Sequence, residues 1–416
     1  MRIQVISPHF TPDIAATGRM MTGIVDGLAA AGHQIHVVTS LPFYRNNEIE
    51  EGWQGRRVRH DDTEWGRITR VHPFPAPKDS LPRRAVGFAG FTGLATGQAV
   101  IDRWRPDIVL AMSPPLTLGL AGWVAARRRR VPFVFNVQDI FPQVTVELGL
   151  LTNRSAIRFF TAMERFIYRR ADAVTVLSDD MRATVVGGLG AEDADRVTVI
   201  PNFVDHDWIT PADRHNSFRA ELGLGDETVV MYAGNLGFSQ PLESIVAAAR
   251  ALAGRTDVRF VVVGDGARRD ELEQLAVEVD NLDLVGFVPT DRMPEVLAAS
   301  DIQLVPLRRG LTRCSVPSKF YANLAAARPV VVSVDPGSEL DRVLAEVPAG
   351  LAVAPDDDQA FIDAITRLVD DPAAARRMGE TGRAWIEQWA SPTSIGERYS
   401  DLFEELLADR SQGRPR

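Results

Sequence analysis

The sequence contains a single cysteine, Cys314, among 416 residues. One cysteine excludes an internal disulfide framework and any zinc cluster built on several cysteines. Nothing in the composition is extreme, because 45% of the residues are hydrophobic, 24% are charged and 7% are aromatic. These values argue against disordered and fibrous proteins and indicate a globular one, and the length predicts two or three domains.

The first ten residues, MRIQVISPHF, lack the basic start, the apolar run and the small-residue cleavage site of a secretory signal. We therefore expect a cytosolic protein. A segment without charges at 85–101 is rich in glycine and alanine, and its 17 residues are short for a membrane span. It is compatible with a buried core helix and also with a helix that lies in the membrane interface.

The net charge of −9 is distributed unevenly along the chain. Residues 1–200 carry 24 basic and 20 acidic side chains, whereas the remainder carries 22 basic and 35 acidic ones. We expect the N-terminal half to approach anionic surfaces, with the arginines at 127–130 and a predicted helix at 155–170 contacting the inner face of the cell membrane. A solvated basic face is the alternative. No basic stripe with interleaved aromatics is present, which argues against nucleic acid as a partner.

Short apolar runs alternate with helix-length periodic segments along most of the chain. This alternation predicts an α/β protein with doubly wound, Rossmann-like parallel sheets. A turn-rich stretch at 201–216 divides it into two domains, 1–200 and 201–390, and a final helix at about 391–410 begins with Pro392. The predicted strands are 2–7, 34–39, 107–112, 131–137, 172–177, 196–200, 228–233, 258–263, 282–285, 301–306 and 329–334.

Open α/β sheets bind ligands at the carboxyl ends of their strands. We expect the two domains to face each other across a central cleft that brings two substrates together and closes to exclude water.

Glycines follow the first strand of each predicted domain. Gly18 stands near the start of a helix, where backbone N–H groups favour an anion, so it is expected to touch a phosphate; a plain turn is the alternative. The strand at 228–233 leads into Gly234, and Asn235 and Gln240 in the same loop can hydrogen-bond phosphate or sugar oxygens. A polar loop without a ligand is the alternative there.

The tripeptide Pro-Ser-Lys at 317–319 opens a predicted helix. Pro317 suits the first turn, and Ser318 is expected to bond to the free backbone N–H groups at the helix start. Lys319 is one of two lysines in a chain with 44 arginines, which suggests that a compact point charge is needed there. Together with the arginines at 308–313 it predicts a diphosphate site, and a basic surface cluster is the alternative.

Several other polar residues allow more than one interpretation. Asp139 ends a buried apolar run and is expected either to bind a sugar hydroxyl or act as a base, or to be a turn or capping carboxylate. Arg268 and Arg269 start a helix, where cations oppose the dipole, so they either bind an anion or are solvated. His9 is interpreted as structural. No His, Asp or Glu cluster has metal spacing, so no metal is expected.

Four segments resemble those of family 4 glycosyltransferases with the GT-B fold, and the resemblance covers nearly the whole chain. Two further stretches, VQDIFPQ and TGR, are similar to the branch that contains lipopolysaccharide, capsule, colanic-acid and N-acetylfucosamine transferases. The four segments are GNLGFSQPLE at 234–243, VGDGARRDELE at 263–273, PSKFYANLAAARPVV at 317–331 and PNFVD at 201–205.

The resemblance implies retaining transfer of a sugar from a nucleotide-diphosphate donor, expected to be a UDP-sugar, to a hydroxyl of a lipid-linked saccharide in cell-surface polysaccharide biosynthesis. It implies no cofactor or metal, a donor on the second domain, an acceptor on the first, and a final helix that returns to the first domain. Acceptor-binding residues remain unassigned. The implied catalytic residues are Asp139 and Lys319, and the implied donor-binding residues are Gly18, Arg19, Gly234, Asn235, Gln240, Gly264, Ser318 and Lys319.

The sequence departs from the family pattern at two places. Most members carry two acids separated by seven residues, whereas this chain has Cys314 and Ala322 there. Asn235 and Gln240 replace the usual basic pair. Two alternatives therefore stay open, a nucleotide-sugar 2-epimerase of the same fold and a non-catalytic module that binds a nucleotide sugar.

Overall fold

A computed structural model describes residues 1–45, 47–76 and 81–412. The chain forms two compact units, each built on one sheet. The first unit contains Met1–Asn202, Cys314–Val316 and the segment from Pro392 onwards. The second contains Phe203–Arg313 and Pro317–Ser391.

The sheet of the first unit is parallel except at one edge. Its elements are β1 (Arg2–Ile6), α1 (Ala16–Ala30), β2 (Gln34–Ser40), β3 (Val58–Thr63), β4 (Gly66–Val71), α2 (Leu81–Ile101), β5 (Ile108–Ser113), α3 (Leu118–Arg129), β6 (Phe133–Val137), α4 (Gln143–Glu147), α5 (Arg154–Arg170), β7 (Ala173–Val176), α6 (Asp179–Leu189) and β8 (Val197–Val199). The strand order is β3-β4-β2-β1-β5-β6-β7-β8, with β3 antiparallel to β4. Strands β5 and β6 are buried throughout, as expected for strands covered on both faces.

The second unit contains a fully parallel sheet of six strands. Its elements are α7 (Ser217–Glu221), β9 (Thr228–Ala233), α8 (Leu242–Ala251), β10 (Val258–Val263), α9 (Arg269–Leu275), β11 (Leu282–Val285), α10 (Met293–Ala298), β12 (Ile302–Pro306), α11 (Lys319–Ala325), β13 (Val330–Ser333), α12 (Glu339–Glu346), β14 (Gly350–Val353), α13 (Asp358–Asp370) and α14 (Pro372–Trp389). The order β11-β10-β9-β12-β13-β14 is the 3-2-1-4-5-6 order of a Rossmann sheet.

The predicted strands are all present within two residues of their expected bounds. Strands β3, β4 and β14 were not predicted. The first two form a hairpin with a charged sequence at the sheet edge, and β14 is a four-residue strand that begins with glycine. Such strands lack the continuous apolar run that identifies a buried strand in a sequence.

The final helix, α15 (Pro392–Ser411), packs against α1, which confirms that it returns to the first unit. Two glycines make this contact close. A Cβ atom on Gly27 would lie 2.2 Å from the carbonyl oxygen of Pro392, and one on Gly396 would lie 2.3 Å from the carbonyl carbon of Gly27. Side chains at these two positions would force the helices apart.

A buried hydrogen-bond network also ties α15 to the sheet. Asn136 Nδ2 donates to the hydroxyl of Tyr399 at 2.8 Å, and Thr175 Oγ1 lies 3.1 Å from the same hydroxyl. Gln138 Nε2 in turn donates to Asn136 Oδ1 at 3.0 Å. These contacts satisfy polar groups at the carboxyl ends of β6 and β7.

The charge-free segment at 85–101 belongs to α2, which packs against α3. Phe91, Ala95 and Ala99 form its buried face, whereas Val86 and Ile101 are 73% and 78% exposed. The helix therefore covers the sheet with one side. Across the described ranges, we find no helix with the length and hydropathy that a membrane crossing requires.

Candidate active site

The second unit brings Lys319 to the end of β9. Successive strands are added in one direction from β9 to β11 and in the other direction from β12 to β14, and open α/β sheets bind ligands at the switch point between β9 and β12. The Nζ atom of Lys319 lies 3.8 Å from the ring centroid of Tyr232 and donates a hydrogen bond to its hydroxyl. The Tyr232 hydroxyl donates to the carbonyl oxygen of Asn235 at 2.6 Å. One fully buried tyrosine thus joins the lysine to the loop after β9.

The environment of Lys319 is apolar enough to perturb its proton affinity. Burial lowers the pKa of Lys319 to about 7, and burial also raises the pKa of Tyr232. Among the described residues, no carboxylate forms an ion pair with Nζ. A partly buried cation without an anionic partner favours an anionic ligand.

Glycines keep side chains away from this lysine. Gly234 has φ +149°, and a Cβ atom there would lie 3.1 Å from Lys319 Nζ. Gly264, at the end of β10, has φ +142°, and a Cβ atom there would lie 2.0 Å from the carbonyl oxygen of Gly234. The strand ends at Gly234 and Gly264 therefore present backbone rather than side chains towards Nζ.

The two amides of the loop after β9 have different environments. Gln240 Oε1 accepts a hydrogen bond from the backbone N–H of Gly237 at 3.2 Å, so this side chain helps to close the loop. Asn235 is exposed, and its Nδ2 lies 2.6 Å from where a Cβ atom of Gly237 would be. A larger residue at Gly237 would displace the Asn235 amide.

The prediction that Ser318 caps α11 is wrong. Its backbone is already helical, with φ −58° and ψ −23°, whereas a capping residue has an extended backbone that turns its oxygen towards the free N–H groups. Its side chain makes no capping hydrogen bond, and the N–H of Phe320 instead bonds to the carbonyl of Pro317 at 3.1 Å.

The arginines expected beside Lys319 are mostly held by carboxylates. Arg308 Nη2 bonds to Glu243 at 2.7 Å, and Arg309 Nε bonds to Asp356 at 2.9 Å. Arg313 is exposed. Arg308 and Arg309 therefore connect their loop to Glu243 and Asp356. Fewer unpaired cations surround Lys319 than the sequence predicts.

The arginines at the start of α9 are paired with carboxylates and are not freely solvated, whereas anion binding by them stays a prediction. Arg268 bonds to Glu271 at 2.7 Å and to the carbonyl of Gln240 at 2.7 Å, and Arg269 bonds to Glu273 at 2.7 Å. Their partners stand three and four residues later on the same helix, which offsets the unfavourable position at its N-terminus. Arg268 also connects α9 to the loop after β9.

In the first unit, Asp139 follows β6 and pairs with a distant segment. It forms an antiparallel bridge with Ser315, and the N–H of Ile140 donates to the carbonyl of Cys314 at 2.8 Å. Burial raises the pKa of Asp139, and a hydrogen bond from the Ser315 side chain partly opposes this. Cys314 is fully buried, so the position where most family members carry an acid is closed to solvent.

Gly18 lies in the first turn of α1, which begins two residues earlier, at Ala16. As the third helical residue, its N–H has no partner one turn earlier in the helix. A Cβ atom on Gly18 would lie 3.0 Å from the Cβ of His9 and 3.3 Å from the carbonyl of Asp13, so the glycine also lets the loop after β1 pack closely. Arg19 is exposed.

A pairing of His9 with Asp13 was not predicted from the sequence. His9 Nδ1 lies 2.7 Å from a carboxylate oxygen of Asp13, whose side chain is fully buried. The imidazole stacks on Phe43 at 5.2 Å and meets the edge of Tyr44 at 5.4 Å. Its Nε2 makes no hydrogen bond within the described part of the chain. The pair lies in the loop that follows the carboxyl end of β1. Because Pro12 lies between the two residues, their spacing of four was not interpreted as helical.

Among the residues that the structure describes, no group of three His, Cys, Asp or Glu side chains is placed to hold a metal ion.

Two Rossmann-like sheets and a C-terminal helix that returns to the first unit form the architecture of the GT-B fold of glycosyltransferases. Family models agree. Residues 16–202 match the glycosyl transferase 4-like domain, and residues 227–371 match the glycosyl transferases group 1. The chain belongs to the family 4 glycosyltransferases.

Two relatives align with this chain over most of both sequences. The 2-deoxystreptamine glucosyltransferase of Streptomyces kanamyceticus is 30% identical over 360 residues, with 82% of this chain and 89% of the relative covered. WcaI of Escherichia coli K12, described as a glycosyl transferase of colanic acid biosynthesis, is 26% identical over 384 residues, with 89% and 92% covered.

Solved structures share the fold at lower identity. Sucrose-phosphate synthase from Thermosynechococcus elongatus superposes with a TM-score of 0.76 at 20% identity, covering 98% of this chain and 99% of the other. HepE from Anabaena in complex with UDP-glucose has a TM-score of 0.70 at 16% identity, covering 97% and 100%.

Proposed function

We propose that the protein transfers a sugar, with retention of configuration, from a UDP-sugar to a hydroxyl of a lipid-linked saccharide during cell-surface polysaccharide synthesis. The observation that carries this proposal is the ammonium group of Lys319, which lacks a carboxylate partner among the described residues and lies beside the backbone of Gly234. A nucleoside diphosphate leaving group supplies the negative charge that this place lacks.

The chemistry needs charge stabilisation more than covalent help. As the bond from the anomeric carbon to the diphosphate oxygen breaks, negative charge develops on the leaving phosphate, and Lys319 and backbone N–H groups stabilise it. The acceptor hydroxyl attacks the same face of the sugar and passes its proton to the departing phosphate. No pair of carboxylates of the glycosidase type is required. The donor contacts proposed for Gly18, Arg19, Gly264 and Ser318 follow from the family resemblance.

The acceptor is proposed to bind to the first unit. His9, oriented by the buried Asp13, offers Nε2 to an acceptor hydroxyl. Asp139 is proposed to contact the transferred sugar through a hydrogen bond with one of its hydroxyls, as the family resemblance implies. We place the protein in the cytosol, at the inner face of the membrane that holds the acceptor.

Two of the three proteins compared support a part of this proposal, and the third differs from it in the kind of acceptor. WcaI is described as part of colanic acid biosynthesis, which favours a surface polysaccharide. The glucosyltransferase relative is named for 2-deoxystreptamine, a small acceptor without a lipid. The HepE complex contains UDP-glucose, which favours a uridine donor.

The test begins with thermal-shift measurements in the presence of UDP-, GDP- and dTDP-sugars, because a ligand that binds only the folded state raises its stability. Release of nucleoside diphosphate is then measured with and without short lipid-linked saccharides and 2-deoxystreptamine. The proposal predicts a shift with UDP-sugars and release that requires a lipid-linked acceptor. Release without acceptor together with sugar interconversion indicates an epimerase. A shift without any release indicates a binding module, and either result overturns the proposal.

A further inference from the structure

Helix α5 of the first unit exposes both aromatic and cationic side chains. Phe159 is 63% exposed and Phe166 is 37% exposed, although burial of a phenylalanine is strongly favourable. Arg158, Arg165 and Arg169 are exposed on the same helix. Scattered exposed apolar residues are common, but two phenylalanines seven residues apart lie on one face of a helix and form a stripe.

The arginines form a second stripe beside the first. Residues 158, 165 and 169 follow each other at intervals of seven and four, so they share a face, and each phenylalanine stands one position after an arginine. A helix with an aromatic stripe next to a basic stripe is typical of helices that lie in a membrane interface.

The one acid of α5 points away from this surface. Glu164 accepts a hydrogen bond from the hydroxyl of the buried Tyr168 at 2.9 Å. Burial raises the pKa of Glu164 to about 7. The exposed face of α5 therefore carries positive charge without a carboxylate from its own helix.

The neighbouring helix α3 extends the surface. Trp123 meets the edge of Phe166 at 5.1 Å, and the guanidinium of Arg170 lies 5.8 Å from the Trp123 ring and 5.2 Å from the Phe166 ring. Arg127 and Arg128 at the end of α3 are exposed. The packed rings hold a cation at the edge of the aromatic stripe.

We propose that this face of α5 and α3 docks onto an anionic lipid bilayer, with Phe159 and Phe166 at the boundary of headgroups and acyl chains and the arginines on lipid phosphates. Charge complementarity and the adjacent apolar stripe favour a bilayer over an acidic protein. The inference deepens the proposed function and rests on it for its purpose, because a lipid-linked acceptor lies in such a membrane. Vesicle binding needs neither donor nor acceptor, so either proposal can fail alone.

The test is co-sedimentation of the full chain with vesicles of phosphatidylcholine alone and of phosphatidylcholine mixed with phosphatidylglycerol. We expect binding to the mixed vesicles only. The double variant Phe159→Ser/Phe166→Ser and the double variant Arg165→Gln/Arg169→Gln should each lower the apparent affinity about tenfold. The matched controls are Phe287→Ser and Arg376→Gln/Arg377→Gln in the second unit, which should bind like the wild type.

Three outcomes overturn the inference. The first is that the wild type fails to bind mixed vesicles or binds both kinds equally. The second is that the α5 variants bind as the wild type does while retaining its melting temperature. The third is that the arginine variant loses binding and the phenylalanine variant does not, which indicates adsorption by charge alone and points to an acidic macromolecule as the partner.

Discussion

The ammonium nitrogen of Lys319 lies over the ring of Tyr232, 3.8 Å from its centroid, and bonds to the hydroxyl of the same side chain. Because Tyr232 is fully buried in the core of the second unit and also donates to the carbonyl of Asn235, it fixes the lysine relative to the loop after β9. An approaching diphosphate would meet a cation that is already oriented.

Replacing Lys319 with alanine should lower kcat by roughly 10²–10³-fold, the effect of losing one donor to a developing anion. Steady-state kinetics with a UDP-sugar and an accepted lipid-linked saccharide provide the measurement. Arg377→Ala, on an exposed position of α14, serves as the control and should retain wild-type turnover. An unchanged rate in the folded Lys319 variant would remove the lysine from the mechanism.

The affinity for UDP should fall as the pH rises through about 7, because Lys319 with a pKa of about 7 loses its charge there. Calorimetric titration from pH 6 to about 9 tests this, and Lys319→Met should abolish this part of the dependence of UDP affinity on pH.

In the absence of ligand, the unfolded chain keeps the lysine proton up to its ordinary pKa of 10.5. It then binds more protons than the folded chain, so the lysine contribution to the free energy of unfolding should rise between pH 7 and about 10. The same pH profile in the Met variant would contradict both expectations.

Substituting Gly264 with alanine should destabilise the second unit by about 1–3 kcal/mol, the cost of a strained backbone at a non-glycine residue. The residue has φ +142°, and the added Cβ atom would lie 2.0 Å from the carbonyl oxygen of Gly234. Urea unfolding gives the free energy. Gly254→Ala is the matched control, since a Cβ atom there meets nothing within 4 Å, and it should change stability by less than about 0.5 kcal/mol. An equal decrease in the free energy of unfolding in Gly264→Ala and Gly254→Ala would show that close packing at Gly264 is unimportant.

Changing His9 to asparagine should raise the KM for the acceptor about 3- to 10-fold and leave UDP affinity unchanged, because one neutral hydrogen bond is lost. Asparagine retains a short donor for Asp13 but has no equivalent of Nε2. His9→Gln should instead lower the melting temperature, since the buried Asp13 carboxylate loses its 2.7 Å partner. An unchanged acceptor KM in His9→Asn would restrict His9 to the structural role expected from the sequence.

Much of the fold could be predicted because the parallel strands are apolar and continuous. The runs at 228–233 and 258–263 match β9 and β10 without a shift. The hairpin of β3 and β4 was missed, since its register pairs Arg59 with Arg70 and Asp62 with Arg67, and such charged strands carry no burial signal.

The site could be predicted only where a residue type was informative by itself. Lys319 attracts attention because lysine is rare in this chain, but its contact with Tyr232 joins residues 87 positions apart and depends on how α11 packs against β12 and β13. The bonding of Arg268 and Arg269, in contrast, was readable in the RRDELE sequence, where acids follow at helical spacing. The His9–Asp13 pair depends on a non-helical loop, for which sequence spacing carries no geometric meaning.

The contact of α15 with Gly27 has a consequence for biosynthesis. The two glycines that meet there are separated by the whole second unit and most of the first in the order of translation. At about 5–20 residues per second, roughly 20–70 s pass between their syntheses. During this interval the glycine-lined side of α1 has no covering helix. The first unit therefore reaches its native state only after the ribosome has completed the second.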